Sequence, residues 1–181
     1  MKILMLTGSP RKRGVTARLA AAFQKGAEEA GHEVKRYDAA RMNVAPCKAC
    51  CHCRKNKGEC VFDDDMTPLI GKDGEILNAD LILLVSPVYY WGLTAQLKTV
   101  VDRFYAVGRS MREKNQKIML ISSAGDGNPA VFNSIKAFYQ SLQDWTCWQD
   151  AGTLLVSGCH EPEALEGTDY EEKAYEMGKN L

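Results

Sequence analysis

The sequence has no long apolar run, no excess of either charge, and no cysteine before Cys47. No apolar stretch approaches the roughly 20 residues of a membrane-spanning helix, and the first one meets Gly8 too early to form the core of a signal peptide. Lysine and arginine together number 23, as do aspartate and glutamate, so a general surface for nucleic acid or membranes is not supported. We therefore expect a cytoplasmic protein with neither of these partners.

Internal repeats, low-complexity tracts and linkers are also absent from the 181 residues. Hydrophobic residues make up 45% of the chain and charged residues 25%, as in ordinary globular proteins. We expect one domain over residues 1–181, with an insertion at about 39–62 that holds five of the seven cysteines. Such clustering favours metal or redox chemistry over a disulfide framework.

Residues 7–16, Thr-Gly-Ser-Pro-Arg-Lys-Arg-Gly-Val-Thr, have the properties of a phosphate-binding loop. They lie between an apolar run at residues 3–6 and a helical apolar pattern at residues 15–30. The free N–H groups and the dipole at a helix N-terminus favour an anion, and glycines allow the main chain to approach it. The hydroxyls of Ser9 and Thr16 and the guanidinium of Arg11 add donors suited to phosphate oxygens.

The loop departs from the common phosphate-binding motifs. Gly8 and Gly14 are one residue too far apart for a Walker A loop, and Val15 stands in place of its lysine. Pro10 replaces the second glycine of a dinucleotide fingerprint, although Asp38 lies where a ribose-binding acid is expected. The lack of an early cysteine excludes a thiolate phosphatase in this loop. A basic surface turn that binds nothing is the alternative.

Two further loops follow apolar strands. Residues 81–85 form a continuous apolar run, typical of a central parallel strand buried on both faces. Residues 87–92 follow it with three adjacent aromatic side chains that cannot all enter the core, which indicates either a planar ligand or a subunit interface. A small polar loop, residues 122–129, follows the next strand at residues 118–121.

The whole pattern alternates strands with helices. Further strands are expected at residues 2–7, 33–37 and 151–156, and further helices from residue 94, at residues 131–142 and at residues 162–179. This alternation predicts an α/β fold with a parallel sheet. Five strands favour a flavodoxin-like three-layer sandwich with strand order 2-1-3-4-5, in which the ends of strands 1, 3 and 4 meet. The three loops would then share one crevice, and a site for one phosphate and one flat ring system describes FMN.

Some residues have a structural interpretation. Asp63-Asp64-Asp65 precede apolar residues 66–77 at helical spacing, which predicts a helix capped by one or two of these aspartates; a carboxylate metal site is the alternative. Cys147 and Cys159 stand apart from the other cysteines and are expected to be buried. His32 and His160 receive no role.

These motifs, in this order, resemble those of the NADPH-dependent FMN reductase and iron-sulfur flavoprotein family, which has the flavodoxin-like fold. The likeness rests on Gly8-Ser9-Pro10-Arg11, Cys47-Lys48-Ala49-Cys50, Asp64-Asp65-Met66, Ser86-Pro87-Val88-Tyr89-Tyr90, Ala95-Gln96-Leu97-Lys98 and Asp102-Arg103. Members of this family commonly form dimers or tetramers, so the resemblance implies a homodimer or homotetramer for this chain.

The resemblance also implies roles for individual residues. The FMN phosphate would be held by Ser9, Arg11, Gly14, Val15 and Thr16; the isoalloxazine ring would be bordered by Pro87, Val88, Tyr89, Tyr90, Trp91 and Gly92, with Ser123 and Gly125 from the third loop. Arg13 stands where the family commonly has a small polar residue, and it either adds a phosphate contact or faces solvent. Because the flavin itself takes a hydride and passes electrons on, we assign no catalytic residue.

The cysteine-rich insertion reads C-x2-C-x2-C-x6-C at Cys47, Cys50, Cys53 and Cys60. Consecutive C-x2-C steps match the ligand spacing of cubane clusters. The iron-sulfur flavoproteins that the chain resembles carry such a motif, so a [4Fe-4S] cluster that passes electrons to FMN is one hypothesis. Zinc on the same four residues, or reduced thiols without metal, fits the spacing as well.

Three functions follow from this interpretation. The first is an FMN-dependent oxidoreductase that passes electrons from NAD(P)H to a quinone, a flavin or another small acceptor. The second is an iron-sulfur flavoprotein that exchanges electrons with a ferredoxin-like partner. The third is a non-enzymatic flavin-binding interaction module whose aromatic loop docks a protein.

Overall fold

The apolar runs of the sequence form the strands of one parallel sheet. In the computed structural model, which describes residues 1–181, the strands are β1 (Lys2–Thr7), β2 (Glu33–Asp38), β3 (Leu81–Pro87), β4 (Lys117–Ser123) and β5 (Gln149–Val156). Their order is β2-β1-β3-β4-β5, and every neighbouring pair is parallel. The predicted flavodoxin-like fold and strand order are thereby confirmed.

Seven helices connect and cover these strands. They are α1 (Val15–Glu29), α2 (His52–Lys55), α3 (Glu75–Asn78), α4 (Ala95–Asp102), α5 (Gly108–Met111), α6 (Asn133–Thr146) and α7 (Tyr170–Lys179). Short 3₁₀ turns occur at Ala39–Arg41, Arg103–Ala106, Pro129–Phe132 and Pro162–Leu165. No helix is long and apolar enough to cross a membrane.

The sheet is covered on both faces because successive strand residues point to opposite sides. In β1, Leu4 packs into the core beneath α4 and α6, whereas Met5 packs into the core beneath α1 and α7. The central strand β3 is buried along six of its seven residues, while β2 at one edge alternates exposed and half-buried residues. This distribution is the one expected of a parallel sheet between two helical layers.

Helices α1 and α7 meet at two glycines. A Cβ atom on Gly26 would collide with the carbonyl oxygen of Tyr175, and one on Gly178 would collide with that of Phe23. The two backbones therefore approach more closely than any side chain would allow. This contact fixes the C-terminal helix on the face of the sheet that α1 covers.

Three sequence predictions about local structure are wrong. The aspartates at residues 63–65 begin a series of turns rather than a helix, and only Glu75–Asn78 is helical, because Gly71 adopts a left-handed φ of +92°. The terminal helix is likewise divided, since Gly167 has a φ of +75° between Leu165 and Tyr170. Cys147, expected to be buried, is exposed at the end of α6, whereas Cys159 is buried.

Candidate flavin site

A cleft of about 210 Å³ lies at the carboxyl ends of β1, β3 and β4. Its lining residues are Ser9, Arg11, Gly14, Val15, Thr16, Pro87, Val88, Tyr89, Ser123, Ala124, Gly125, Cys159 and His160. Ten of the thirteen residues that the sequence predicts around FMN are therefore brought together, and Tyr90, Trp91 and Gly92 are not among the lining residues. The convergence follows from the topology, because the ends of these strands share the switch point of the sheet.

The N-terminus of α1 forms an anion cradle in this cleft. Gly14 precedes the helix without a side-chain cap, and the first turn contains no acidic residue. The carbonyl of Gly14 accepts hydrogen bonds from the amides of Ala17 and Arg18, so the amides of Val15 and Thr16 remain available to a ligand. The geometry fits a phosphate monoester, which favours free N–H groups at the positive end of a helix dipole.

Two hydroxyls border the same cradle. Thr16 is only 3% exposed. The hydroxyls of Thr7 and Thr146 donate hydrogen bonds to other groups of the chain, whereas the hydroxyl of Thr16 does not. Ser9 is also buried, and its Oγ accepts a hydrogen bond from the amide of Arg11 at 3.2 Å. The Thr16 hydroxyl is not among the buried polar atoms that lack a partner, and Thr16 lines the cleft, so this hydroxyl is available to a ligand oxygen.

Arg11 is held away from the centre of the cradle by the loop after β5. Its Nη1 donates to Glu161 Oε1 at 3.2 Å and to the carbonyl of His160 at 3.3 Å. Both partners of the ion pair are about half exposed, with 49% and 57% side-chain exposure, so the pair itself contributes little to stability. A bound phosphate would compete with Glu161 for this guanidinium.

The aromatic loop is a tight two-residue turn. Tyr89 and Gly92 exchange two backbone hydrogen bonds of 3.1 Å, and the residues between them adopt left-handed φ values of 45° for Tyr90 and 62° for Trp91. Tyr90 is 97% exposed and Trp91 is 60% exposed. Bulky residues in this region of backbone space are strained. Their contact with the isoalloxazine ring stays a prediction, as does that of Gly92.

Sequence reasoning missed His160, Cys159 and Ala124. His160 packs against Gly125, where an added Cβ would come within 2.9 Å of its Nδ1. Cys159 is buried beside it, and burial raises the pKa of its thiol. The available signal was positional. Ala124 directly follows β4, and Cys159 and His160 follow β5, so all three lie at the same edge of the sheet as the three predicted loops.

Helix α4 connects the cleft to the cysteine-rich insertion. At its start, Thr94 donates from Oγ1 to the carbonyl of Gly8 at 2.9 Å and receives a hydrogen bond from Leu97 as the helix cap. Directly after its end, Arg103 contacts both ends of the insertion. A helix of eight residues is about 12 Å long, so the anchored ends of the insertion lie about one helix length from the phosphate loop.

Arg103 is a buried clamp on the insertion. Its side chain is 1% exposed; Nη1 donates to the carbonyl of Ala45 at 2.8 Å and to Asp64 Oδ2 at 2.7 Å, and the guanidinium lies 5.1 Å from the centre of the Phe62 ring. Burial alone would raise the pKa of Asp64, but Arg103 and the amides of Ala45 and Met66 outweigh it and lower that pKa. The aspartate predicted as a helix cap or metal ligand is therefore an ion-pair partner.

The four cysteines of the C-x2-C-x2-C-x6-C run do not form a metal site in this conformation. Cys47 and Cys50 are exposed, Cys53 and Cys60 are half buried, and no three Cys, His, Asp or Glu side chains are placed to hold one ion. Desolvation raises the pKa of the Cys53 thiol. The donor set suits a cluster chemically, and Cys60 and Cys47 lie near enough to Cys53 to raise its thiol pKa further, so the role of these residues as cluster ligands stays a prediction.

Cys53 lies on the wall of a second cavity, of about 990 Å³. This cavity also contacts Leu77, Glu113 and Trp145, which precede β3, β4 and β5. It therefore opens at the amino ends of the strands, on the edge of the sheet opposite the flavin cleft. Cys159 is the one cysteine that lines the cleft.

The parallel 2-1-3-4-5 sheet with an anion cradle at its switch point has the flavodoxin-like fold. A sequence model described as NADPH-dependent FMN reductase matches residues 1–154, and this match makes the protein an FMN-containing oxidoreductase. The chain belongs to the NADPH-dependent FMN reductase family.

Curated relatives within this family carry a second name. An iron-sulfur flavoprotein of Methanosarcina thermophila is 36% identical over 146 residues, which are 80% of this chain and 72% of the relative. One from Methanocaldococcus jannaschii is 33% identical over 170 residues, 92% of this chain and 81% of the relative. One from Archaeoglobus fulgidus is 35% identical over 130 residues, 71% of this chain but only 57% of the relative.

Solved structures share the fold at lower identity. An azoreductase from Bacillus anthracis superposes with a TM-score of 0.75 at 17% identity, covering 100% of both chains. An NAD(P)H:quinone oxidoreductase from Methanothermobacter marburgensis gives a TM-score of 0.70 at 20% identity, covering 100% of this chain and 96% of the other. At these identities the comparison shows the fold alone.

Proposed function

We propose that the protein passes electrons from NADPH or NADH through bound FMN to a quinone, a free flavin or another small acceptor. The observation that carries this proposal is the cleft, in which an uncapped helix N-terminus lies beside an open wall of residues 87–89 and 123–125. The family match and the fold shared with a quinone oxidoreductase and an azoreductase support it.

The residues of the cleft would bind and orient the cofactor. The amides of Val15 and Thr16, the hydroxyls of Ser9 and Thr16 and the guanidinium of Arg11 would hold the phosphate. Pro87, Val88 and Tyr89 would border one side of the ring opposite Ser123 and Gly125. FMN supplies the redox chemistry, accepting a hydride and releasing electrons singly or in pairs. Because the cleft opens to solvent beside the turn at Tyr90 and Trp91, donor and acceptor can reach the ring in turn.

Replacement of Arg11 and Thr16 with alanine tests the assignment of the phosphate site. Two lost contacts to a charged phosphate should weaken FMN binding at least about tenfold, measured by quenching of flavin fluorescence on titration of the apoprotein. Arg13→Ala is the matched control, since Arg13 is exposed in the same loop and lines neither the cleft nor its neighbouring cavity. Unchanged affinity in the double variant, with its melting temperature intact, would remove these residues from the site.

The electron donor is tested by anaerobic titration of the FMN-loaded protein with NADPH and NADH. Bleaching of the flavin absorbance by either nucleotide supports the reductase. Failure of both, where dithionite still bleaches the flavin, would refute it and favour the electron-transfer protein or the interaction module.

A second candidate function is an iron-sulfur flavoprotein that exchanges electrons with a ferredoxin-like partner. The cysteine spacing and the names of the relatives at 33–36% identity favour it, although the insertion would have to rearrange to hold a cluster. Protein purified without oxygen should then contain about four irons per chain, as a cubane requires. Cys53→Ser should remove the iron and leave FMN bound, whereas Cys147→Ser, an exposed cysteine outside the insertion, should retain it.

The assembly stays a prediction. A homodimer or homotetramer would cover the exposed Tyr90 and Trp91, which are unusual on a free surface. Light scattering of the wild type against a Tyr90→Ser/Trp91→Ser variant measures whether the mass of the particle depends on this turn.

A further inference from the structure

A third cavity, of about 390 Å³, lies on the other side of the phosphate loop. It shares Ser9, Arg11 and Thr16 with the flavin cleft and extends from them to the end of β2. At that end stands Asp38, the residue that sequence reasoning placed where a dinucleotide-binding protein has its ribose-binding acid. The proposed function so far leaves this cavity unused.

The cavity is strongly cationic. Four positive side chains line it, Arg11, Lys12, Arg36 and Arg41, and Asp38 is the one carboxylate. The whole chain, by contrast, has a formal net charge of +0. Arg11 is paired with Glu161, so the site has a local excess of two positive charges. Such an excess in a concave site attracts anions, because low-dielectric walls concentrate the field.

Asp38 is not available to a ligand. Its carboxylate accepts hydrogen bonds from Thr7 Oγ1, from Arg36 Nε at 3.0 Å and from Arg41 Nη1 at 3.0 Å. Burial opposes its ionisation, but the hydrogen bond from Thr7 and the two arginines outweigh burial and lower the pKa of the carboxyl. The aspartate therefore stays charged and saturated, and it cannot also accept both hydroxyls of a ribose.

The two arginines are positioned by Asp38 and keep further donors. Arg36 and Arg41 each use one nitrogen on the carboxylate, while a guanidinium carries five N–H donors. Their side chains are 28% and 37% exposed, so they are held in place yet reachable. Paired guanidinium groups are the usual partners of a phosphate monoester.

We propose that this cavity is a second phosphate subsite, beside the flavin phosphate, in which Arg36 and Arg41 bind the 2′-phosphate of NADPH. The inference rests on the proposed function, since it assumes that a nicotinamide nucleotide reaches the cleft. It predicts a preference for NADPH over NADH, because Asp38 positions two arginines that can bind the additional phosphate.

The binding test uses probes that differ in the 2′-phosphate and involve no redox step. Calorimetry on the FMN-loaded protein should show adenosine 2′,5′-diphosphate binding at least about tenfold more tightly than adenosine 5′-monophosphate, the contribution of one or two charge-assisted contacts. Arg41→Ala and Arg36→Gln should each reduce this ratio, and the double variant should abolish it. FMN affinity should stay that of the wild type, as it should in the control Arg13→Ala, and circular dichroism should show that each variant is folded.

Three outcomes would overturn the proposal. Equal affinity for adenosine 2′,5′-diphosphate and adenosine 5′-monophosphate refutes the subsite, and so does a preference that survives in the double variant. Inorganic phosphate that displaces adenosine 2′,5′-diphosphate at equal concentration would assign the cavity to free phosphate rather than to the nucleotide.

The kinetic test separates this inference from the proposed function. In steady-state turnover, the KM for NADPH should be at least about tenfold higher in the double variant than in the wild type. The KM for NADH, which lacks the 2′-phosphate, should be the same in both. Reduction of the flavin by NADPH with no dependence on either arginine refutes the subsite and leaves the reductase standing. Arginine-dependent binding of adenosine 2′,5′-diphosphate without flavin reduction supports the subsite and refutes the reductase.

Discussion

Replacement of Asp64 with asparagine should destabilise the protein by about 3 kcal/mol, the lower part of the range for breaking a buried ion pair. Asp64 is 8% exposed, and its partner Arg103 is 1% exposed. The carboxylate accepts hydrogen bonds from Arg103 Nη1 at 2.7 Å and Nη2 at 3.2 Å and from the amides of Ala45 and Met66 at 3.0 Å. Asparagine keeps one acceptor oxygen but turns N–H groups towards these donors, leaving the guanidinium buried without its counter-charge.

Urea denaturation followed by circular dichroism measures this loss. A cost of about 3 kcal/mol corresponds to a fall in melting temperature of roughly 6–12 °C for a chain of this size. Asp102→Asn is the matched control, because Asp102 pairs with Lys98 at 2.6 Å on an exposed helix face, with 46% and 49% side-chain exposure. Its loss should be no more than about 0.5 kcal/mol. Equal effects of the two substitutions would refute the clamp.

The pH dependence gives an independent check with a definite sign. The folded-state pKa of Asp64 lies below its ordinary value of 3.8, so its contribution is fully present above that value and is lost as pH falls through the folded-state pKa. The difference between wild type and Asp64→Asn should therefore be constant from neutral pH down to about pH 5 and shrink below pH 3.8. A difference that grew on acidification would contradict this account.

Three further changes have definite expected outcomes. Trp91→Gly should raise stability by about 1 kcal/mol in thermal melts, because it removes a left-handed φ of 62°; an unchanged or lower melting temperature argues against strain in the turn at Tyr90. Iodoacetamide should modify Cys147 before Cys159, as mass spectrometry of timed digests will show, because Cys147 is exposed and Cys159 is buried with a raised thiol pKa. Gly178→Ala should cost about 2 kcal/mol or more, since its methyl group meets the backbone of α1; urea titration at normal stability would disprove the close contact.

Much of the fold could be predicted because it depends on local periodicity. The uninterrupted apolar run at residues 81–85 is buried on both faces as the central strand, and the alternating segment at residues 33–37 is the edge strand. Once five strands alternate with helices, the right-handed crossovers leave few topologies. The order of the strands then brings the phosphate loop and the loops at residues 87–92 and 122–129 to one edge of the sheet.

The failed predictions have a common cause. The spacing of apolar residues after Asp65 fits a helix, yet Gly71 and the commitment of Asp64 to Arg103 divide the segment into turns. Cys147 is expected in the core because an isolated cysteine behaves as a small hydrophobic residue, but its left-handed φ of 60° at the end of α6 places it on the surface. Neither outcome is a property of the local pattern, because each depends on a chain reversal or on a partner distant in sequence.

The strand order and the identity of most cleft residues follow from the sequence alone, because side-chain periodicity and helix-terminus chemistry are local. How the charges pair depends on the tertiary structure. Arg11 pairs with Glu161, which lies 150 positions later in the chain, and His160, next to Glu161, lines the cleft. Asp38 is masked by two arginines, and Cys53 lies at the edge of the sheet opposite the cleft. Such pairings are set by competition among groups that the fold brings within a few ångströms of one another. The spacing of residues in the sequence does not show which of these groups will pair.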